Sequence, residues 1–534
     1  LKKYSSLLLA ILSGLLFWIA WTPNNFSAAL FFAFIPLLII EERESKGLRY
    51  FIFVYTGLLS LNLFTTWWIW NSTMIGAWLA IAVNSLLMFI PWWGYRKIKQ
   101  QFNLNIALSG LLLFWLSFEY LHQLDWGLSW PWLTLGNAFA DRTSWIQWYE
   151  YTGTSGGSLW ILSVNILLYK FYLHTKENKI QWNRHLIITS CLIVPIIISL
   201  WIEKREQEQH STKKNKNAND NIVIVQPNID PYEKISSGDL RKLSQSLVDL
   251  SVQKVDSNTT LLIWPETALY AYGGIDEKAI KENSELENIF SLLKKYPKLH
   301  LFTGIESYRI FPEKHSIYSR PINGSGNYYE VYNGAMLADS YGAMHFYHKS
   351  MLVPGVETLP KFLLFLGPAF EKLGGTAGGY ARQEIRTAIP TKNHYTIAPA
   401  ICYESIYGEF ISKYVKNGAN IIAIITNDGW WGNTPGHQQH LAYARLRAIE
   451  TRKWVVRSAN TGISAFINPI GEIEQSASWW KAETLKKSVY SDQRKTYFIE
   501  WGDWVSKIAL TLTTLIILLY FFRKMKSKKN TYYA

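Results

Sequence analysis

The chain has 534 residues, 49% of them apolar and 18% charged, a balance that excludes disorder and leaves room for several domains. Its 15% aromatic content, with 25 tryptophans, suits a protein with many side chains at a membrane boundary. The formal charge of +14 does not mark a nucleic-acid binder: residues 203–504 hold 35 Lys+Arg against 32 Asp+Glu, and the flanking apolar parts hold 19 against 8.

From the N-terminus, Lys2-Lys3 precede an apolar run that continues to Trp21-Thr22-Pro23 without a small-x-small cleavage site, so it reads as a first span and not a cleaved signal. Further bilayer-length runs lie near 51–69, 73–93, 104–121, 185–202 and 505–522, with shorter ones near 27–40 and 157–173, and predict eight transmembrane helices. Alternating loops place sixteen Lys/Arg on one side, among them Lys2, Arg43, Arg96, Lys97, Arg184 and Arg523, and only Arg142 on the other. That asymmetry predicts cytoplasmic termini and an extracytoplasmic segment between spans seven and eight. The expected organisation is a seven-helix membrane domain over 1–202, a polar linker over 203–220, an extracytoplasmic domain over 221–504, an eighth span over 505–522 and a basic cytoplasmic tail over 523–534.

Within 221–504, short β-branched or apolar runs at 221–226, 260–264, 299–304, 331–338, 343–348, 395–402, 420–426, 453–458 and 463–467 alternate with helix-compatible stretches at 238–256, 277–296 and 438–450, an α/β pattern. Runs apolar on both faces predict strands covered by helices. Glu266, Lys349 and Cys402 each stand at the end of such a run, where a sheet holds side chains rigidly yet open to a ligand. The second cysteine, Cys191, falls inside an apolar run, so the two cannot pair, and a lone thiol on the oxidising side is suspect as a reactive group. On the residues alone, Cys402 is either a nucleophile or a small buried hydrophobe. Glu266 and Lys349 are either its partners or an ordinary ion pair.

Four ordered motifs narrow the choice. Trp264-Pro265-Glu266-Thr267 is followed by Tyr332-Asn333-Gly334-Ala335 with Lys349-x-x-Leu352-Val353-Pro354-x-x-Glu357, then by Cys402-Tyr403-Glu404, then by Asn427-Asp428-x-Trp430-Trp431-Gly432 with Gln439-His440-Leu441 and Ala444-Arg445-x-Arg447-Ala448-x-Glu450. This series resembles the carbon–nitrogen hydrolase (nitrilase) superfamily. With the spans, and with Trp130-Pro131-Trp132-Leu133 between spans five and six, it is similar to the membrane-bound branch that acylates lipoproteins.

The resemblance implies a nitrilase-like αββα sandwich, with Cys402 as nucleophile, Glu266 as general base and Lys349 as the cation that stabilises the oxyanion. It implies a second functional glutamate at Glu357, although Val356 stands where the family usually has Gly, and site-shaping roles for Tyr403 and Glu404. Ile235 stands where many members have Trp. It further implies an enzyme of the bacterial inner membrane that takes an acyl chain from a phospholipid as a Cys thioester and passes it to the α-amino group of a diacylglyceryl-modified N-terminal cysteine of an apolipoprotein. No metal, cofactor or nucleic acid is expected; His437, His440 and Asp428 do not read as a metal site. The run 362–370 reads as an arm dipping into the lipid interface or as a buried core segment, and Trp430 and Trp431 read as part of the same rim. The rivals are a membrane-tethered amidase, which substitutes water for the amine, and a transporter or lipid-binding scaffold on an inactive fold.

Overall fold

The computed structural model describes residues 2–22, 26–176, 182–216, 220–237, 239–358 and 379–532. Among the described residues, six helices are long and apolar enough to cross a membrane by length and composition: Gly47–Asn71, Met74–Lys99, Leu104–Gln123, Thr154–Thr175, Asn183–Lys214 and Trp504–Lys526. Ser5–Trp21 is a shorter apolar helix. The run near 27–40 is not one continuous helix: a 3-10 turn, Ser27–Phe32, gives way to a nine-residue helix, Ile35–Arg43. Pro36 lies in the first turn of that helix, where the missing N–H costs no hydrogen bond, and the helix starts afresh there.

Residues 203–216 are not a flexible linker. The helix Trp182–Lys216 runs straight through them, because Glu, Lys, Arg and Gln are strong helix formers. Its polar end is docked by Arg205 on Glu150 at 2.7 Å, by Lys213 on Asp492 at 2.6 Å, and by His210 between the Tyr490 hydroxyl at 2.8 Å and Glu474 at 2.7 Å.

The following segment folds as two sheets. The first contains β1 (Asn221–Gln226), β2 (Thr259–Ile263), β3 (Ile275–Asp276), β4 (His300–Phe311), β5 (Arg320–Pro321), β6 (Tyr328–Asp339) and β7 (Met344–His348). The second contains β8 (Ile389–Pro390), β9 (Thr396–Ile401), β10 (Ile421–Thr426), β11 (Val455–Ala459), β12 (Ala465–Ile467) and β13 (Ile473–Ser476). The last strand, β14 (Glu483–Ser488), returns to the first sheet beside β1, giving the order β14-β1-β2-β4-β6-β5 with β3 on β4 and β7 on β6. The second sheet runs β13-β12-β11-β10-β9-β8, parallel across β9, β10 and β11.

Alternate residues explain the layering. Ile222, Ile224, Leu261, Ile263 and Phe302 face the second sheet and share a core with its Ala398, Ala400, Ile422, Ile424 and Val456. Their neighbours Val223, Val225, Leu262 and Leu301 face the other way, onto Leu240 and Leu247 of helix Leu240–Ser251 and Ile289 and Leu292 of helix Glu287–Lys295. Helices Gly408–Lys416 and Pro435–Thr451 pack against the second sheet's side of the core and complete an αββα sandwich. Pro435–Thr451 also binds the membrane part: Tyr443 accepts from Trp21 Nε1 and donates to the Trp132 carbonyl, each at 2.9 Å, and Gln439 Oε1 accepts from Trp132 Nε1 at 2.8 Å.

Candidate active site

Glu266 leaves β2 in a tight loop pressed onto β4. Gly304 makes this approach possible: a Cβ there would stand 2.4 Å from the Pro265 carbonyl oxygen and 2.7 Å from Glu266 Cα. Thr267 holds the left-handed conformation at φ +47°. Lys234 Nζ stabilises it by donating to the Thr267 carbonyl at 3.1 Å and hydroxyl at 2.7 Å. Burial lowers that ammonium to about 8, with Glu266 and Glu306 opposing.

Lys349 follows the end of β7, anchored by its N–H to the Asn333 carbonyl at 2.9 Å. Its fully buried Nζ lies 2.8 Å from Glu357 Oε1 and 3.3 Å from Glu266 Oε1. Burial opposes its charge, but Glu357 and then Glu266 hold the ammonium well above the usual lysine range. Asn333 Nδ2 bridges the same two carboxylates at 2.9 and 3.0 Å, while Glu266 Oε2 accepts from Asn427 N–H at 3.0 Å and Glu357 Oε2 from Val353 N–H at 2.8 Å. Both carboxylates are thus fixed at each oxygen before any substrate arrives.

Cys402 follows β9 directly and opens a 3-10 turn, Cys402–Ile406, with its own backbone at φ +51°. A non-glycine residue in this region is strained and persists only where its surroundings over-determine it. Burial pushes the thiol well above the usual cysteine range, Glu266 adds to the rise, and Lys349 opposes it. These surroundings favour the thiol over the thiolate. Glu404 ties the two strand ends together: Oε1 accepts from the Ser350 N–H at 2.6 Å, the Met351 N–H at 3.1 Å and the Tyr347 hydroxyl at 2.7 Å, and Oε2 from the Ile401 N–H at 2.8 Å. Glu404 is a strut between the lysine and the cysteine. The Tyr403 hydroxyl donates to the Ser129 carbonyl at 2.8 Å and its ring stacks on Trp130 at 5.8 Å, so Tyr403 joins the elbow to the membrane part.

Cys402 opens into a cavity of about 260 Å³ whose walls come from both parts of the molecule. Val353, Pro354, Gly355 and Val356 form one side; Trp68, Thr73, Leu79, Val83 and Leu87, from the membrane helices and the turn between them, form another. The sequence expectation of Trp430 at the site is corrected here. Trp431 lines the cavity, packed 4.8 Å from Trp68, whereas Trp430 turns away onto Tyr232 at 5.2 Å. The reason is the 3-10 turn Asp428–Trp431, in which consecutive side chains point about 120° apart. The expected arm at 362–370 and the side chain of Ile235 lie outside the described residues. Sequence reasoning passed over Asn333 and Asn427 as functional groups, although both stand inside motifs it quoted; the membrane wall of the cavity left no signal in the sequence at all.

A sandwich of this topology, with a thiol, a carboxylate and an ammonium brought together from three strand ends, defines a thiol enzyme of the nitrilase class. The chain belongs to the carbon-nitrogen hydrolase family, whose model matches residues 222–496. Residues 13–167 match a second family model, the apolipoprotein N-acyltransferase N-terminal domain. Over almost its whole length the chain is similar to the apolipoprotein N-acyltransferase of Chlorobaculum tepidum, at 28% identity covering 97% of this chain and 96% of that one. It is similar as well to that of Rickettsia prowazekii, at 25% identity covering 96% and 97%. Among solved structures, Nit3 of Saccharomyces cerevisiae, a member of branch 10 of the nitrilase superfamily, aligns at 17% identity and a TM-score of 0.35 over 53% of this chain and 92% of its own.

Proposed function

We infer that this multi-pass membrane enzyme carries out apolipoprotein N-acylation, taking an acyl chain from a phospholipid and delivering it to the N-terminal amine of a diacylglyceryl-cysteine. One observation carries the choice of acyl transfer over soluble-amide hydrolysis: the thiol opens into a cavity walled by membrane-helix residues and tryptophans, a place for an acyl chain and a poor one for water. In the first half-reaction Cys402 Sγ attacks the ester carbonyl as Glu266 takes the thiol proton. The developing oxyanion is met by the Lys349 ammonium. Collapse breaks the ester C–O bond, Glu266 returns the proton to the leaving glycerol oxygen, and a lysophospholipid departs from a thioester. In the second half-reaction the free amine attacks the thioester, Glu266 accepts its proton, and the amide forms as the thiol is restored. Glu357 holds Lys349 and the Val353–Val356 wall in one geometry. The Lys/Arg asymmetry of the loops supports a bacterial inner-membrane protein with this site on the extracytoplasmic side.

The test is order of chemistry. Incubation with phospholipid vesicles alone should load Cys402 with a hydroxylamine-sensitive acyl group and release lysophospholipid in equal amount. Product formed from both substrates without such an adduct would replace the thioester scheme by direct transfer.

A further inference from the structure

His440 lies one layer behind the thiol. It is fully buried on helix Pro435–Thr451, with Nδ1 2.9 Å from Asp428 Oδ1 and Nε2 3.2 Å from the carbonyl oxygen of Cys402 and 2.9 Å from Ser405 Oγ. Asp428 is equally buried; its Oδ1 also accepts from Thr426 Oγ1 at 2.8 Å and its Oδ2 from Arg457 Nη2 at 2.6 Å. Burial favours the neutral acid, but Arg457 and His440 hold this carboxyl well below the usual carboxylate range. The Cys402 carbonyl only accepts, so in its contact with His440 it is Nε2 that carries the hydrogen. Arg457 Nη2, which donates to Asp428 Oδ2, also stands 3.2 Å from His440 Nδ1, so this edge of the ring is held by both partners. The indoles of Trp132 and Trp431, 5.8 and 5.6 Å away, cover its remaining sides, and both line the Cys402 cavity.

We propose that His440 is a positioning residue for the nucleophile, donating from Nε2 to the Cys402 carbonyl and so fixing the Cys402–Tyr403 peptide plane that aims the thiol. The inference rests on the nucleophile reading given above. The left-handed backbone at Cys402 needs an external restraint, and its carbonyl receives two: His440 Nε2 and the Ser405 hydroxyl, which donates at 2.8 Å. In a planar trans peptide the N–H points opposite the carbonyl. A Cys402 carbonyl drawn toward His440 therefore turns the Tyr403 N–H away from helix Pro435–Thr451.

The two amide replacements separate this role from mere packing. His440→Gln keeps a donor at the reach of Nε2, whereas His440→Asn is one methylene shorter, still offers Asp428 a partner and loses the Cys402 contact. In the full-length protein with Cys191→Ala, three quantities are measured: the rate of acyl-adduct formation at Cys402 with vesicles of mixed phosphatidylethanolamine and phosphatidylglycerol, the rate of Cys402 alkylation by iodoacetamide, and Tm. His440→Gln is expected within about tenfold of the parent in adduct formation, and His440→Asn at least about a hundredfold slower at a similar Tm, with alkylation slowed in Asn and not in Gln. A folded His440→Asn as fast as His440→Gln overturns the proposal, as does equal slowing of both in step with Tm. If His440→Asn does not fold, Ser405→Ala is read instead: tenfold slower adduct formation supports the clamp, and an unchanged rate overturns it. A parent that forms no adduct refutes the nucleophile reading, and the alkylation rates then decide the positioning role on their own, equal rates in all three proteins overturning it.

Discussion

The two sides of Cys402 are built on opposite physical principles. On the α/β side, Glu266, Lys349, Asn333, Glu357 and Glu404 are buried and cross-bonded. On the membrane side, Trp68, Leu79, Val83 and Leu87 offer apolar surface. Under the proposed function the first side fixes charges where they change during reaction, and in a low-dielectric site such groups act strongly only if they need no reorganisation. Under the proposed function the second selects by shape and apolar area, which tolerates variation in the chain it holds. The contrast predicts that changes on the polar side act on rate for every substrate, and changes on the apolar side act on which acyl chain is used.

Four measurements test that division, beginning with the largest effect. Lys349→Met should slow adduct formation at least about a hundredfold for all donors, since removing one oxyanion-stabilising group costs about 2.7–4 kcal/mol. A folded Lys349→Met protein with near-parent single-turnover rates would take Lys349 out of the mechanism. Glu404→Ala leaves three buried N–H groups and the Tyr347 hydroxyl without their acceptor, so it should lower stability by at least about 3 kcal/mol in chemical denaturation and slow catalysis with it. Parent-like stability would mean that Glu404 is not the strut between the two strand ends. Val83→Trp, on the apolar wall, should cost long-chain donors about tenfold relative to short ones while leaving iodoacetamide alkylation of Cys402 unchanged. Equal losses for all chain lengths would erase the distinction between the two sides. The smallest effect belongs to Trp430→Ala, expected within twofold of parent in every assay because this ring packs on Tyr232 outside the cavity. A changed chain-length preference in that variant would return Trp430 to the site.

A separate test concerns how the membrane and α/β parts are joined. Burial works against the Asp492 carboxylate, yet its hydrogen bonds to Arg494 and Lys213 lower it to about 2, and Lys213 lies on the helix that leaves the membrane. A carboxylate depressed in the folded state stabilises fully above its unfolded value near 3.9 and loses that contribution as pH falls through the folded value. Tm should drop between about pH 4 and pH 2, and Asp492→Asn should start lower and show a shallower drop across that window. An identical acid profile in the variant would mean that this ion pair contributes nothing to the docking.

The local order of the chain determined the class of fold. Apolar runs of bilayer length, short runs apolar on both faces and the placement of Glu266, Lys349 and Cys402 at the ends of such runs are properties of nearest neighbours, because helix and strand periodicity is a local matter. So were the ordered motifs that carried the family resemblance. Composition suggested a polar linker over 203–220; residues 203–216 of it continue the helix Trp182–Lys216, and contacts with Glu150, Asp492 and Glu474 dock that end. Neighbouring tryptophans looked equivalent at 430 and 431 until a 3-10 turn sent one into the cavity and the other away. Glu266 lies far in sequence from Asn333 and Glu357, and only the pairing of β4 with β6 and the loop after β7 brings both carboxylates to the Lys349 ammonium with the Asn333 amide bridging them. The membrane wall is the clearest case of what tertiary structure alone decides. Each of Trp68, Leu79 and Val83 is an ordinary span or interface residue by itself, and becomes part of the Cys402 cavity only because the α/β domain is seated above it by Trp132, Gln439 and Tyr443.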